Sequence, residues 1–309
     1  MMEVGMIGLG KMGANMARRL VAAGHRVVGF DLDADAVRRA AADGIEGAHS
    51  PEDLVARVAP PRVLWMMVPA GPPVDATIER FGPLLDEGDV LVDGGNSNYR
   101  DTVRRAAGCA EAGHALVDVG TSGGVWGLAE GYSLMVGGDA DAVARLRPVL
   151  ESLAPAPDRG WGHVGPPGAG HFVKMVHNGI EYGLMEAYAE GFAVLRAKGE
   201  FDLDLHRIAE IWRHGSVVRS WLLDLLADAL AANPAMDGIA PWVPDSGEGR
   251  WTVFEAIDLD VPTPVIALAL MRRIASRDES GYADRLLAAM RHAFGGHPIR
   301  AEEDGASGG

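Results

Sequence analysis

The chain has 309 residues, too many for one ordinary core, so about two domains are expected; 48% hydrophobic and 23% charged residues are the proportions of a folded globular chain, not a disordered one. A formal net charge of -15 argues against nucleic acid and anionic membrane as partners, because the long-range field repels both, and an anionic substrate would need a locally positive pocket. The single cysteine, Cys109, excludes an internal disulfide, no apolar run reaches the ~20 residues that span a bilayer, and no basic leader precedes the first strand, so a cytoplasmic setting is expected.

In chain order, β-rich runs at Glu3–Ile7, Arg26–Phe30, Arg62–Val68, Val90–Asp93 and Ala115–Val119 alternate with helical patterns such as Met12–Ala23 and Ala34–Ala42. That alternation predicts a parallel, doubly wound Rossmann-type sheet built from βαβ units, and hence an α/β fold. Ser50-Pro51-Glu52-Asp53 reads as a helix start, with Ser at the N-cap, Pro in the first turn and acid behind it. A strand at Ser133–Val136, a helix at Ala140–Leu153 and a strand near Gly160–Val164 close this half. After the turn-rich Gly165-Pro166-Pro167-Gly168 stretch the spacing is helical: a long run over His171–Ala197, then Leu203–Trp212, Ser220–Leu230, Thr263–Ser276 and Tyr282–Phe294. The expected division is a dinucleotide-binding domain over 1–166, an all-helical substrate and oligomerisation domain over 167–298, and a small, polar, disordered tail over 299–309.

Gly8-Leu9-Gly10-Lys11-Met12-Gly13 matches G-x-G-x-x-G directly after the first strand and at the start of a helix. Gly8 permits the tight turn, Gly10 lets backbone approach a pyrophosphate, and Gly13 allows close helix–strand packing, while the helix N-terminus offers N–H groups to the phosphates. Asp31, at the end of the second strand, can accept from the ribose hydroxyls and would repel a 2′-phosphate; no arginine follows before Arg38, so the expected cofactor is NAD. Val68, at the end of a later strand, and Ala70 and Asn96, just beyond strand ends, are placed with this cofactor set.

Lys174, His177, Asn178 and Glu181 stand at i, i+3, i+4 and i+7, so they share one helix face, with Tyr182 bordering it; Met175, Val176 and Ile180 are expected to pack the other side. Of 28 basic residues only Lys11, Lys174 and Lys198 are lysines. Where this chain wants plain positive charge it uses arginine, which cannot release its proton, whereas a desolvated lysine can. Asp93-Gly94-Gly95-Asn96-Ser97 and Gly120-Thr121-Ser122-Gly123-Gly124 each follow a predicted strand, at the edge where ligands sit in such sheets, and the second offers backbone N–H groups to an anion. No metal is called for.

These residues together resemble a known family. Val92-Asp93-Gly94-Gly95-Asn96-Ser97, Ser122-Gly123-Gly124 and above all Lys174-Met175-Val176-His177-Asn178-Gly179-Ile180-Glu181-Tyr182 are similar to the signatures of 6-phosphogluconate dehydrogenase, in a compact form shorter than the NADP-linked members. Related β-hydroxyacid dehydrogenases keep a lysine and an asparagine there, but not the His177 and Glu181 pair. The resemblance implies Lys174 as general base and Glu181 as general acid, with Asn96, Ser122, Gly123, Gly124, His177 and Asn178 orienting a phosphorylated sugar acid. It further implies Tyr182 and Arg272 at the phosphate, and Arg291 and His297 reaching a neighbouring subunit's site in a homodimer or homotetramer. One corner departs from the family: Ser246 and Glu248 stand where a lysine and a threonine help to hold the phosphate, and Arg250 is the available compensation. Two alternatives stay open, a dehydrogenase for a smaller acid of the 3-hydroxyisobutyrate type and a dinucleotide-binding protein without catalysis.

Overall fold

The computed structural model describes residues 1–300. Strand β1 (Glu3–Ile7) leads into α1 (Lys11–Ala22), β2 (Arg26–Phe30), α2 (Ala34–Ala41), the two-residue β3 (Glu46–Gly47), α3 (Pro51–Arg57), β4 (Val63–Met66), α4 (Pro72–Phe81), β5 (Val90–Asp93), α5 (Tyr99–Glu111) and β6 (Ala115–Ser122). The short α6 (Gly127–Glu130), β7 (Ser133–Gly137), α7 (Ala140–Leu153) and β8 (Trp161–Gly165) follow. The remaining α-helices are α8 (Ala169–Ala197), α9 (Leu205–Arg213), α10 (Trp221–Ala232), α11 (Glu248–Asp258), α12 (Pro264–Ala275) and α13 (Tyr282–Gly295). The expected tail lies, from residue 301, outside the described residues.

The eight strands form one sheet in the order β3-β2-β1-β4-β5-β6-β7-β8, and every pairing is parallel except β6 with β7. The chain therefore winds outward in both directions from the β1–β4 boundary, the point where such sheets take ligands at their carboxyl ends. The central strands are mostly apolar because both faces are covered, with Asp93 and Asp118 as buried exceptions on β5 and β6. On β4, Val63 and Trp65 join one core with Val4, Met16, Leu20 and Leu150, while Leu64 and Met66 join the other with Leu54, Val74, Phe81 and Leu116. Caps hold the helices in place: Ser50 Oγ accepts from Asp53 N at 3.1 Å ahead of Pro51, as its spacing predicts, and Asp139 caps α7.

Three expectations change. The fifth strand does not stop at Val119: its antiparallel pairing with β7 carries it through Gly120 and Thr121 to Ser122, so only Gly123 and Gly124 of that glycine cluster form a turn. Helix α11 was not expected, because Gly247-Glu248-Gly249 reads as a loop. Ile180 is 54% exposed instead of packed and Val176 is only partly covered, whereas Met175 is buried.

By packing, the chain forms two compact units, Met1–Tyr182 with Gly247–Thr263, and Gly183–Ser246 with Pro264 onward. The first unit holds the sheet, the opening turns of α8 and the whole of α11. The second holds a small helical core in which Phe192 of α8 meets Ala209 of α9 and Leu223, Ala227 and Leu230 of α10.

Candidate active site

The turn between β1 and α1 is built for a dinucleotide. A side chain at Gly13 would put its Cβ 2.0 Å from the Gly8 carbonyl oxygen, so only glycine lets α1 come so close to the turn. Gly10 faces open space instead, with nothing within 4 Å of where its Cβ would stand, and it heads α1 without a side-chain cap. The first N–H groups of a 12-residue helix are thus available to a phosphate. A cleft of about 470 Å³ adjoins this turn, lined by Gly8, Gly10, Phe30, Asp31, Val68 and Thr77 among others; Pro69, not Ala70, is the lining residue at that end. Asp31 already accepts from Leu9 N at 2.6 Å and Asp33 N at 2.8 Å, and the acceptor sites left on a carboxylate suit ribose hydroxyls. The nearest following arginines are paired, Arg38 with Asp35 and Arg39 with Asp33, while Arg80, which also lines the cleft, lies over the Phe30 ring at 5.7 Å. The residues present fit NAD.

The next layer is set by buried carboxylates. Asp93, at the end of β5, accepts from Gly95 N at 3.0 Å and Ser97 Oγ at 2.7 Å, and so folds the following loop back on itself. Asn96 at its tip takes a left-handed backbone (φ 53°) and aims its amide at the next strand, accepting from Thr121 N at 2.8 Å and donating to Thr121 O at 3.1 Å. Asn96 therefore staples two strand ends together, and the Thr121 N–H, expected to meet an anion, is already spent on it. Asp118, fully buried on β6, accepts from Gly168 N at 2.7 Å and His171 N at 2.8 Å, which satisfies two of the orphan N–H groups at the start of α8. Sequence reasoning missed the work of Asp93 and Asp118. The signal was a single acid inside each of two apolar strands, where a carboxylate persists only with hydrogen-bond partners.

Anchored in this way, α8 lies against β6 at Gly120, where a Cβ would stand 2.4 Å from that of Lys174. Lys174 is 4% exposed. Its Nζ donates to Asn178 Oδ1 at 2.5 Å and stands 3.3 Å from His177 Nδ1. His177 Nδ1 is in turn 2.9 Å from Asn178 Oδ1 and 3.9 Å from Glu181 Oε2. Lys174, His177, Asn178 and Glu181 thus form one connected polar cluster, as the spacing predicts. Burial pushes the Lys174 amine below its ordinary value, and the nearby carboxylates of Glu181 and Glu248 pull it back up. Tyr182 is buried with its ring over Gly249 at the start of α11.

Arg272, Arg291 and His297 belong to the second unit. Arg272 Nε lies 3.3 Å from Glu186 Oε1 with its head largely exposed. Arg291 projects from α13, and His297 sets its ring edge-on to Phe294 at 6.4 Å and its carbonyl on His292 Nδ1 at 2.8 Å. Among the described residues no three His, Cys, Asp or Glu side chains gather as a metal site, and no helix is long and apolar enough to cross a membrane.

Comparison with known proteins agrees with this geometry. Residues 3–164 match the NAD binding domain of 6-phosphogluconate dehydrogenase, and residues 170–305 match the 6-phosphogluconate dehydrogenase C-terminal domain. The chain is 46% identical over 304 residues (98% of this chain, 100% of the other) to an NAD(+)-dependent, decarboxylating 6-phosphogluconate dehydrogenase of Haloferax volcanii. It is 44% identical over 296 residues (96% and 98%) to a Bacillus subtilis protein named as a putative 6-phosphogluconate dehydrogenase. Among solved structures, the Plasmodium falciparum 6-phosphogluconate dehydrogenase superposes with a TM-score of 0.81 at 28% identity, covering 98% of this chain and 67% of that one. With the dinucleotide turn, the buried lysine and its carboxylate in place, and these matches running nearly end to end, the chain belongs to the 6-phosphogluconate dehydrogenase family.

Proposed function

We propose that this chain oxidises 6-phosphogluconate at C3 and releases CO₂ and ribulose 5-phosphate, with Lys174 as general base and Glu181 as general acid. The observation that carries the reading is the buried Lys174 amine: desolvation favours its neutral form, the form that accepts a proton near neutral pH. NAD, held on the Gly8–Gly13 turn by Gly8, Leu9, Gly10, Lys11, Met12, Gly13 and Asp31, supplies the hydride acceptor.

Lys174 takes the proton of the C3 hydroxyl as the C3 hydride departs. The resulting 3-keto acid loses CO₂ because the ketone accepts the electron pair, and protonated Lys174 returns its proton to the developing oxygen. Glu181 then delivers a proton to C1 of the enediol. His177 and Asn178, bonded to each other and to Lys174, hold the amine in place and orient the substrate with Ser122, Gly123 and Gly124. Asn96 acts chiefly by fixing the strand ends around them.

The finer reading follows the same logic. Tyr182 and Arg272 take the phosphate, with Arg250 offsetting Glu248. Arg291 and His297 complete the site of a neighbouring subunit in a homodimer or homotetramer. Functionally, 1–166 serves the dinucleotide and 167–298 the substrate and assembly, in a cytoplasmic enzyme.

The test is NADH absorbance and CO₂ release with 6-phosphogluconate plus NAD or NADP, on native protein and on Lys174→Met. The native protein should turn over with a preference for NAD, and the mutant should be nearly inert. Native protein that binds NADH yet reduces no NAD with 6-phosphogluconate would defeat the reading.

A further inference from the structure

Two loops meet beside the cofactor cleft. The chain leaving β4 lines that cleft through Val68, Pro69 and, on the first turns of α4, Pro73, Ala76 and Thr77. The loop after β5 packs directly on it, since a Cβ at Gly95 would stand 2.7 Å from the Val68 carbonyl oxygen. That second loop carries Asn96, which is bonded to Thr121, one residue ahead of Ser122.

Both loops are approached by one buried arginine. Arg105 of α5 is 4% exposed. Its Nη2 donates to the Gly71 carbonyl oxygen at 2.9 Å and to Asp75 Oδ2 at 2.7 Å, and its Nε donates to Asp75 Oδ1 at 3.0 Å. Gly71 is the N-cap of α4, and Asp75 stands on the helix face turned away from Pro73, Ala76 and Thr77. The remaining nitrogen, Nη1, is buried without a hydrogen-bond partner and lies 3.9 Å from Oδ2 of Asp93, the carboxylate that folds the Asn96 loop.

We propose that Arg105 is a positioning residue for hydride transfer: its guanidinium fork holds the start of α4, and with it the wall of the dinucleotide cleft, in fixed register with the Asp93 loop that carries Asn96. This rests on the dehydrogenase reading above. A planar fork can serve several partners in set directions, whereas an ammonium is a point charge. Asp93 is fully buried, where a carboxylate needs a cation within reach, and at 3.9 Å in a poorly screened interior the attraction is several times that in water. At the other end, hydrogen bonds from Arg105 and then Arg104 hold the Asp75 carboxyl well below the usual carboxylate range, against a desolvation that would raise it. Arg105 acts through these carboxylates and the loops they hold. Its leverage is geometric, because a misplacement of about 1 Å can cost about 10²-fold in rate.

The neighbouring arginine provides a control. Arg104 Nη2 donates to the same Asp75 Oδ1 at 2.8 Å, but its side chain is 61% exposed, and among the described residues it reaches neither Gly71 nor Asp93. It has the charge of Arg105 without the bridge.

The test compares Arg105→Gln, Arg105→Lys and Arg104→Gln in the full chain, with 6-phosphogluconate carrying hydrogen or deuterium at C3. In Arg105→Gln, kcat/KM should fall by about 10- to 100-fold and KM for NAD should rise. Deuterium should slow kcat more than it does in native protein, because misaligned hydride transfer replaces product release as the slow step. Arg105→Lys should stay near the glutamine variant, and Arg104→Gln near native. An Arg105→Gln protein that only melts earlier, with KM and isotope effect at native values, would make the residue purely structural and overturn the inference. Full recovery in Arg105→Lys would overturn it too, since a buried charge alone would then suffice, as would an equal loss in Arg104→Gln. Should Arg105→Gln fold poorly, Asp75→Ala, which keeps the arginine but removes its carboxylate on α4, decides by the same isotope effect: an increase supports the bridge and a native value refutes it. Native protein without turnover counts against the function itself, whereas native turnover with an unmoved Arg105→Gln counts against Arg105 alone.

Discussion

The dinucleotide turn and the lysine helix lie in one packed unit, and in the proposed function they would work by opposite means. At Gly8–Gly13 the groups that matter are backbone N–H donors, and the side chains serve by being absent: Gly13 leaves room for helix on turn, and Gly10 leaves room for ligand. On α8 a single side chain matters, and its environment is arranged to make it an unusual one, with Lys174 4% exposed and held by Asn178. The first site fails when something is added, the second when one atom is removed. Binding and chemistry should therefore separate under mutation.

The largest effect expected is at Lys174. Lys174→Met should lower kcat/KM by about 10²- to 10⁴-fold, the usual reach of a general base, while NADH affinity measured by fluorescence stays close to native. Lys174→Arg should be as inert as methionine, because a guanidinium does not give up its proton. A matching loss of NADH affinity would break the separation of the two sites.

A smaller effect belongs to the cofactor side. Asp31→Asn should narrow the preference for NAD over NADP by roughly ten- to a hundredfold, since juxtaposed like charges cost several kcal/mol and each 1.4 kcal/mol is a factor of ten. The two glycines then divide the cradle's roles. Gly10→Ala should leave the melting temperature unchanged and weaken NADH binding. Gly13→Ala, whose Cβ would meet the Gly8 carbonyl at 2.0 Å, should cost about 1–3 kcal/mol of stability through overpacking. Equal melting temperatures for the two variants would mean that the turn is looser than its geometry states.

The same contrast explains what the sequence made legible. The cradle is local: strand, glycine spacing, helix and a distant acid are all printed along the chain, and β1, β2, β5 and α7 fall at the residues their patterns predict. The lysine cluster is nearly as local, because four polar groups at helical spacing must share a face. The parts that escaped depend on partners far away in sequence. Residues 120–122 look like a loop until β7 pairs with them in the antiparallel sense. α11 begins with glycines that signal a turn, and it is helical because Thr252, Val253 and Ala256 are buried, Thr252 against α8. Ile180, apolar and yet exposed, shows the converse: composition gives a tendency to be covered, without naming the cover.

The smallest effect is thermal and bears directly on the premise of the lysine site. Because burial holds the Lys174 amine below its ordinary value of 10.5, the folded protein binds fewer protons there than the unfolded chain between the two values. Below the depressed folded-state value, folding must bury an ammonium that the unfolded chain leaves in water, so the destabilisation is present in full; it fades as pH rises toward 10.5. Lys174→Met removes the amine and its cost. The variant should therefore melt a few degrees above native protein near pH 6, on a scale of about 2–4 °C per kcal/mol for chains of this general size, and its advantage should shrink as pH rises toward 10. A gap that stays constant across that range would mean that the amine is well solvated in the folded protein. The general base would then have lost the one feature that distinguishes it from an ordinary surface lysine.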